Sequence, residues 1–259
     1  MSAKRRSSPD PARSLALLWA SQANTRRSGL TVKAIVTAAI DLTDVGGMDA
    51  LSMRNVAERL GVGTMSLYTY VPGKTELIDL MLDTAYGQLY ESVEEPSQQP
   101  GGWRVALRFI AQRNWELYRR HPWMLQITMG RPVLGPHASL KYEAELRPLD
   151  QLGLSDVEMD ATLTLILGHV EGCARAQATL EQTQYDTGMT DAEWWVVHAP
   201  LMEKIIDPTL FPVGMRVGTS AGQEYQGASS PEHAFTFGID RILAGIAELI
   251  SSKNIEKSF

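Results

Sequence analysis

Apolar residues recur with helical spacing from residue 31 onward, and this pattern predicts a series of helices. The first begins after Thr31, a residue type that caps helix N-termini, and ends at Gly46 and Gly47. The second begins after Ser52 and ends at Gly61. Each has apolar residues at i, i+3, i+4 and i+7, which are Ile35, Ala38, Ala39 and Leu42 in the first and Met53, Val56, Ala57 and Leu60 in the second.

A short third helix follows at once. The turn 61–63 leads into a helix predicted over 65–71, in which Leu67 and Val71 share the inward face. A fourth helix is predicted over 74–93. Two helices joined by a short glycine-containing turn and preceded by a stabilising helix are typical of a helix-turn-helix, whose second helix enters the DNA major groove.

The rest of the chain is also helical in pattern, and no segment shows sustained strand alternation. A long loop is expected over 207–230, which is rich in Gly, Pro and Ser. The predicted fold is therefore all-α, with an N-terminal three-helix domain that contains the helix-turn-helix and a larger helical domain after it. The further predicted helices are 103–120, 136–152, 155–184, 191–206 and 231–252, with a helix or partial helix over 123–129.

Charge is divided unevenly along the 259 residues. Residues 1–78 hold ten Lys and Arg against six Asp and Glu, a net charge of +4, whereas the remainder carries −10 of the total of −6. A basic end indicates a partner that is a polyanion. Most of this charge precedes Gly29, so a solvated basic tail is the alternative. Residues 1–29 are predicted to be a flexible basic arm with a helical turn or two around 15–20.

Several function classes lose support from the sequence. Cys173 is the single cysteine, which excludes an internal disulfide framework and agrees with a reducing cytosol. No apolar run is long enough to span a bilayer, so a cytoplasmic protein without a membrane partner is expected. The five histidines lack metal-ligand spacing. Tyr70 and Lys74 have the spacing of a short-chain dehydrogenase pair, but no glycine-rich nucleotide-binding turn accompanies them. We therefore expect no enzyme activity, no cofactor and no metal.

The third helix has the side chains of a DNA-reading surface. With Leu67 and Val71 turned inward, its outer faces carry hydroxyls for phosphates or base edges and apolar groups for thymine methyls. It has no Arg, Lys, Gln or Asn for bidentate base contacts, so shape readout is expected to contribute. The alternative is a helix pair packed only for stability, with Tyr68 and Tyr70 as core aromatics. The outward residues are Met65, Ser66, Tyr68, Thr69 and Tyr70.

The run LTVKAIVTAAIDLTDVGGMDALSMRNVAERLGVGTMSLYTYVPGKTELIDLM, residues 30–81, resembles the DNA-binding domain of the tetracycline repressor (TetR) family almost position by position. The resemblance implies a homodimer that binds operator DNA through residues 30–77. Phosphate contacts are expected at Arg54 and Lys74, and the helix N-termini at Ser52 and Lys74 favour them further. The resemblance assigns the recognition contacts to Thr64, Met65, Ser66, Tyr68, Thr69 and Tyr70.

The C-terminal part resembles the tetracycline-repressor branch more loosely, through MGRPVLGP (129–136), LGHVEGCARAQ (167–177) and FTFGIDRILAGIAELI (235–250). The resemblance implies that residues 78–259 bind an effector and dimerise. In this reading, the helix 155–184 and the last helix pair with their copies. A pocket is implied at Tyr90, Ile110, Asn114, Thr128, Arg131 and His169.

Two alternatives stay open in this part of the chain. His169 has the alternative role of a satisfied core residue. Gly238 and Gly245 on the last helix indicate close approach of another helix, either from a second copy or from the same chain. One departure from the branch is that Thr128 stands where the tetracycline repressor has a metal-coordinating histidine, so magnesium-tetracycline sensing is not expected.

The function expected from the sequence is a ligand-responsive repressor. It binds a palindromic operator as a homodimer and is released when a small-molecule effector, expected to be largely apolar, tilts the helix 74–93. The alternative is a helical protein-interaction or structural module without sequence-specific DNA binding.

Overall fold

The computed structural model describes residues 11–20, 30–127 and 131–256, and all the regular structure in them is helical, as predicted. The chain divides into two compact units, with the boundary inside α8 between Leu163 and Thr164. Every helix in the described ranges is too short or too polar to cross a membrane. The helices are α1 (Pro11–Ala20), α2 (Val32–Gly46), α3 (Met53–Arg59), α4 (Thr64–Tyr68), α5 (Lys74–Tyr86), α6 (Trp103–Arg120), α7 (Pro136–Leu146), α8 (Asp156–Thr187), α9 (Asp191–Ile205), α10 (Pro212–Tyr225) and α11 (Pro231–Glu256), with short 3-10 helices at Met48–Ala50, Pro122–Gln126 and Arg147–Leu149.

The two predicted N-caps of the helix-turn-helix are confirmed. The Thr31 hydroxyl accepts a hydrogen bond from the Ala34 amide at 3.1 Å, and the Ser52 hydroxyl accepts one from the Asn55 amide at 3.0 Å. Each bond satisfies an amide that the first turn of the helix leaves without a backbone partner. The end of α2 is also as predicted, because Gly47 follows it at a φ of 64°.

The turn between α3 and α4 depends on one glycine. Gly61 has a φ of 66°, in the left-handed region that favours glycine, and the Val62 amide donates back to the Ala57 carbonyl at 3.0 Å. This closed turn directs the chain into α4 with Leu67 and Val71 fully buried. Both side chains belong to a core that also contains residues of α1, α2, α3 and α5.

The prediction that the fourth helix reaches residue 93 is wrong, because α5 ends at Tyr86 and turns follow it. The ring of His137 packs against Gly87, 2.8 Å from the position that a β-carbon would occupy. This contact joins residues fifty positions apart, so no local periodicity reveals it.

Two other segments are more helical than predicted. The expected loop 207–230 contains α10, which begins with a proline in its first turn and accommodates the Trp195 ring against Gly222. In the N-terminal arm, α1 spans ten residues. Its Leu18 is buried in the core, and its Trp19 indole donates to the Leu134 carbonyl at 3.0 Å. The rest of the predicted arm lies outside the described residues.

Candidate functional site

The outer face of α4 is exposed as the sequence pattern predicted. Met65 and Tyr68 are 78% and 42% exposed, and Ser66 and Thr69 are exposed as well. The first and last of the predicted DNA-contact residues are less exposed. Thr64 is half-buried, and Tyr70 is half-buried against the hydrophobic core. A thioether, an aromatic edge and hydroxyls therefore point to solvent from a helix whose single buried residue is Leu67.

The candidate phosphate-binding residues lie at the N-termini of α3 and α5. Arg54 is exposed in the first turn of α3. The Lys74 ammonium donates to the Leu51 carbonyl at 2.7 Å and so links the start of α5 to the residue before Ser52. An ammonium has three donors, so this bond leaves capacity for a phosphate oxygen. The N-cap of α5 is Gly73, whose lack of a side chain leaves the terminal amides without a side-chain partner.

Hydrogen bonds join α2, the first helix of the predicted three-helix DNA-binding domain, to the segment that follows α6. The Asp44 carboxylate of α2 accepts hydrogen bonds from His121 Nδ1 and Trp123 Nε1, both at 2.8 Å. The Gln126 side-chain oxygen accepts from the Met48 amide at 3.2 Å. Sequence reasoning missed these contacts, because they join residues 77 to 79 positions apart. They fix α2 to the part of the chain that leads into the predicted effector residues.

Three of the predicted effector residues come together in the first unit. Asn114 Nδ2 donates to Glu145 at 2.7 Å and to the Ile110 carbonyl at 2.9 Å, and the Tyr90 hydroxyl donates to the same Glu145 oxygen at 2.8 Å. Lys141 forms an ion pair with the other Glu145 oxygen. Burial raises the pKa of Tyr90 well above its ordinary value, and the neighbouring Glu145 carboxylate raises it further. Tyr90 therefore acts as a hydrogen-bond donor, not as a phenolate.

A cavity of about 120 Å³ lies beside this network, between the end of α5 and α7. Of the predicted effector residues that the structure describes, Tyr90 alone is in its lining. The sequence analysis did not predict the other lining residues. Gly87, a glycine inside a predicted helix, was the one sequence feature that pointed to this place. The lining consists of Tyr86, Gly87, Tyr90, Glu91, Ser92, Val93, His137, Leu140, Lys141 and Ala144.

Two other predicted effector residues, Arg131 and His169, lie outside this network. Arg131 is exposed in the first unit, and Thr128 lies outside the described residues. His169 belongs to the second unit, where its Nε2 lies 3.2 Å from the Phe235 carbonyl and its ring packs against Gly238. Cys173, one turn further along α8, is buried, and this burial raises the pKa of its thiol. The thiol is therefore less ionised than a free cysteine.

Known proteins match both parts of the chain. The family model for bacterial regulatory proteins of the tetR family matches residues 35–81, and the model for the tetracyclin repressor-like C-terminal domain matches residues 95–250. The HTH-type transcriptional repressor DrrR1 of Streptomyces coeruleorubidus is 40% identical over 260 residues, which cover 97% of this chain and 91% of that protein.

Solved structures agree with the sequence comparisons. Apo ActR from Streptomyces coelicolor aligns with a TM-score of 0.70 at 25% identity, over 88% of this chain and 99% of that one. ActR in complex with actinorhodin aligns with a TM-score of 0.67 at 26% identity, over 86% and 99%. With family models over most of its length and a relative at 40% identity, this chain belongs to the TetR family of helix-turn-helix transcriptional regulators.

Proposed function

We propose that this protein is a repressor that binds a palindromic operator as a homodimer and leaves it when a small-molecule effector binds. The observation that carries the proposal is α4, a five-residue helix in which Leu67 is buried, Thr64 is half-buried and the other three residues are exposed. Such a short helix has no stability of its own, so the core below it must hold it in place. An apolar and hydroxyl surface held in this way fits a DNA major groove.

Different residues supply operator affinity and operator specificity in this proposal. Thr64, Met65, Ser66, Tyr68, Thr69 and Tyr70 contact bases or nearby phosphates, and Ser52, Arg54 and Lys74 hold the flanking backbone. Because no outward α4 side chain is charged, base readout relies on hydroxyl and van der Waals contacts and on DNA shape. The basic residues of the arm 1–29 add phosphate contacts.

The homodimer is assigned to α8 and α11 in the second unit. On α8, Leu165, Gly168 and Gly172 are exposed on one face, and a β-carbon added at either glycine would meet no atom within 4 Å. Gly245 of α11 is open in the same way, whereas Gly238 is explained within the chain by the His169 ring. An exposed face of small residues lets a helix of a second copy approach closely. A two-fold dimer then matches a palindromic operator.

The effector is assigned to the first unit, with Tyr90, Ile110 and Asn114, which lie together there, as its candidate contacts. ActR has been solved with actinorhodin and with (S)-DNPA, which supports a small-molecule effector for a chain of this fold. The cavity near Tyr90 combines aromatic and aliphatic walls with polar groups on His137 and Lys141. It suits a largely apolar molecule that carries hydrogen-bonding groups.

Operator binding by the full-length chain tests this function. Fluorescence anisotropy is measured with a labelled duplex from the region upstream of its own gene and with a shuffled duplex of the same composition. We expect selective binding by the wild type and a loss of about tenfold in affinity, or about 1.4 kcal/mol, for Tyr68→Ala. Tyr185→Ala is the matched control, because Tyr185 is an exposed tyrosine on α8. Equal affinity for both duplexes, or equal effects of the two substitutions, would contradict the proposal.

A further inference from the structure

A buried carboxylate joins α5 to the N-terminus of α7. Asp83 Oδ2 accepts a hydrogen bond from His137 Nδ1 at 2.9 Å, and Oδ1 accepts one from the Ala138 amide, also at 2.9 Å. The Asp83 side chain is only 5% exposed. The same carboxylate therefore caps α7 from outside that helix and orients the imidazole next to the cap.

Two glycines make room for this arrangement. Gly135 lies so close to the Asp83 carboxylate that a β-carbon at 135 would collide with it. On the other side, a β-carbon at Gly87 would lie 2.8 Å from the His137 ring. Neither glycine has a positive φ, since Gly87 is at −64° and Gly135 at −88°. Close packing, and not backbone conformation, therefore explains the absence of a side chain at both positions.

The other end of α5 is fixed to the DNA-binding module. Its first residue, Lys74, donates to the Leu51 carbonyl, and Leu77 and Met81 are fully buried in the same core as Leu67. The helix has 13 residues and is therefore about 20 Å long. One helix therefore connects Asp83 with the core that holds α4, and it offers a route by which a displacement at Asp83 would reach α4.

The cavity near Tyr90 lies beside the contact between Asp83 and His137. Gly87 and His137 are both in its lining, and the His137 side chain is 35% exposed. An occupant of the cavity therefore touches the ring that Asp83 holds, without needing to reach the buried carboxylate itself.

We propose that Asp83 and His137 form a clamp that fixes α5 to α7 in the position required for operator binding, and that an effector in the cavity acts by turning His137 away from Asp83. Asp83 is a positioning residue in this scheme. The inference rests on the proposed repressor function and assigns the step that links its effector cavity to its DNA-binding module.

An intact clamp restricts the positions available to α5 before DNA binds. Opening it leaves α5 free to sample positions that do not match the operator, so the apparent affinity falls with the fraction of competent molecules. If the contact between Asp83 and His137 were intact in only about one tenth of the molecules, operator binding would be about tenfold weaker.

Alanine at residue 87 imitates an occupant of the cavity. Its methyl group would press on the His137 ring, and its helical φ accepts alanine without strain. His137→Ala removes the ring and so removes both the clamp and the collision. Gly218→Ala is the matched control, because a methyl at this α10 position meets no atom within 4 Å. The test measures operator affinity by anisotropy for Gly87→Ala, His137→Ala, their double variant and the control, with thermal unfolding followed by circular dichroism.

We expect each single variant to bind the operator about tenfold more weakly than the wild type, and the double variant to bind no more weakly than His137→Ala alone. Such non-additivity shows that both substitutions act through the same contact, and the thermal unfolding data separate a loss of operator affinity from a loss of stability. The inference is overturned if Gly87→Ala binds as tightly as Gly218→Ala, or if the two effects multiply in the double variant. Should Gly87→Ala fail to fold, wild-type affinity in His137→Ala overturns it equally. A wild-type chain without operator selectivity would instead reject the proposed function.

Discussion

Leu67 gives the most direct test of how the recognition helix is held. It is fully buried and is the single buried residue of α4. Replacing a buried leucine with alanine loses the transfer free energy of the removed atoms and leaves a cavity, at a cost of about 2–5 kcal/mol. We expect about 3 kcal/mol for Leu67→Ala, because the core below α4 can close over the gap only in part. The operator affinity should fall more than tenfold, since α4 then lacks its anchor.

Urea unfolding monitored by circular dichroism at a fixed protein concentration measures the first effect, and anisotropy under conditions where both proteins are folded measures the second. The midpoint should fall by on the order of 1 M urea with an unchanged m-value. Leu210→Ala is the control, because Leu210 is 70% exposed, and an exposed site should change stability by less than about 0.5 kcal/mol. If both variants unfold at the same urea concentration, the account of α4 is refuted.

Further predictions concern a cap, a buried ion pair and the thiol. Thr31→Ala should lower the free energy of unfolding by about 1 kcal/mol, and Thr31→Ser should not, because serine retains the capping hydroxyl; equal urea midpoints would contradict this. Lys141→Met should cost about 3–5 kcal/mol in the same assay, because it leaves the fully buried Glu145 without its ion pair; a loss below about 1 kcal/mol would contradict it. Burial raises the pKa of Cys173, so its thiolate fraction at pH 8 is smaller in the folded chain than in the unfolded one. Iodoacetamide should therefore alkylate it more slowly in buffer than in urea, with the native rate rising as the pH passes the raised pKa, and equal rates would show that the thiol is accessible and unperturbed. Because the folded pKa is raised, the associated stability is present below the unfolded pKa and is lost as the pH rises through the folded one.

The helix-turn-helix could be predicted from the sequence because its determinants are local. Thr31 and Ser52 cap amides only three residues away, and Gly61 sets the turn by its own backbone conformation. The inward direction of Leu67 and Val71 follows from helical spacing alone. These features are fixed by short-range geometry, and the structure reproduces them within a few residues.

The features that were missed depend on contacts between distant residues. Gly87, which follows α5, packs against the ring of His137, fifty residues further along the chain. A segment rich in glycine forms α10, in which Gly222 accommodates the Trp195 ring. Glycine content favoured a loop at this position, because glycine is a poor helix former.

The effector region was predicted in part. The resemblance to the tetracycline-repressor branch predicted that Tyr90 and Asn114 lie close together. No spacing in the sequence connects them with Glu145, which accepts hydrogen bonds from both. The clamp between Asp83 and His137 was not predicted for the same reason, because the two residues are 54 positions apart in the chain. Sequence patterns find elements and faces more readily than the polar contacts between them.

Footprinting on the region upstream of the gene for this chain, together with the stoichiometry of binding, tests whether the protein binds DNA as a two-fold dimer. A dimeric repressor with one α4 in each of two successive major grooves predicts a protected palindrome whose half-sites are about one helical turn apart, with two chains bound per site. Protection without defined boundaries, or one chain bound per site, would contradict the account.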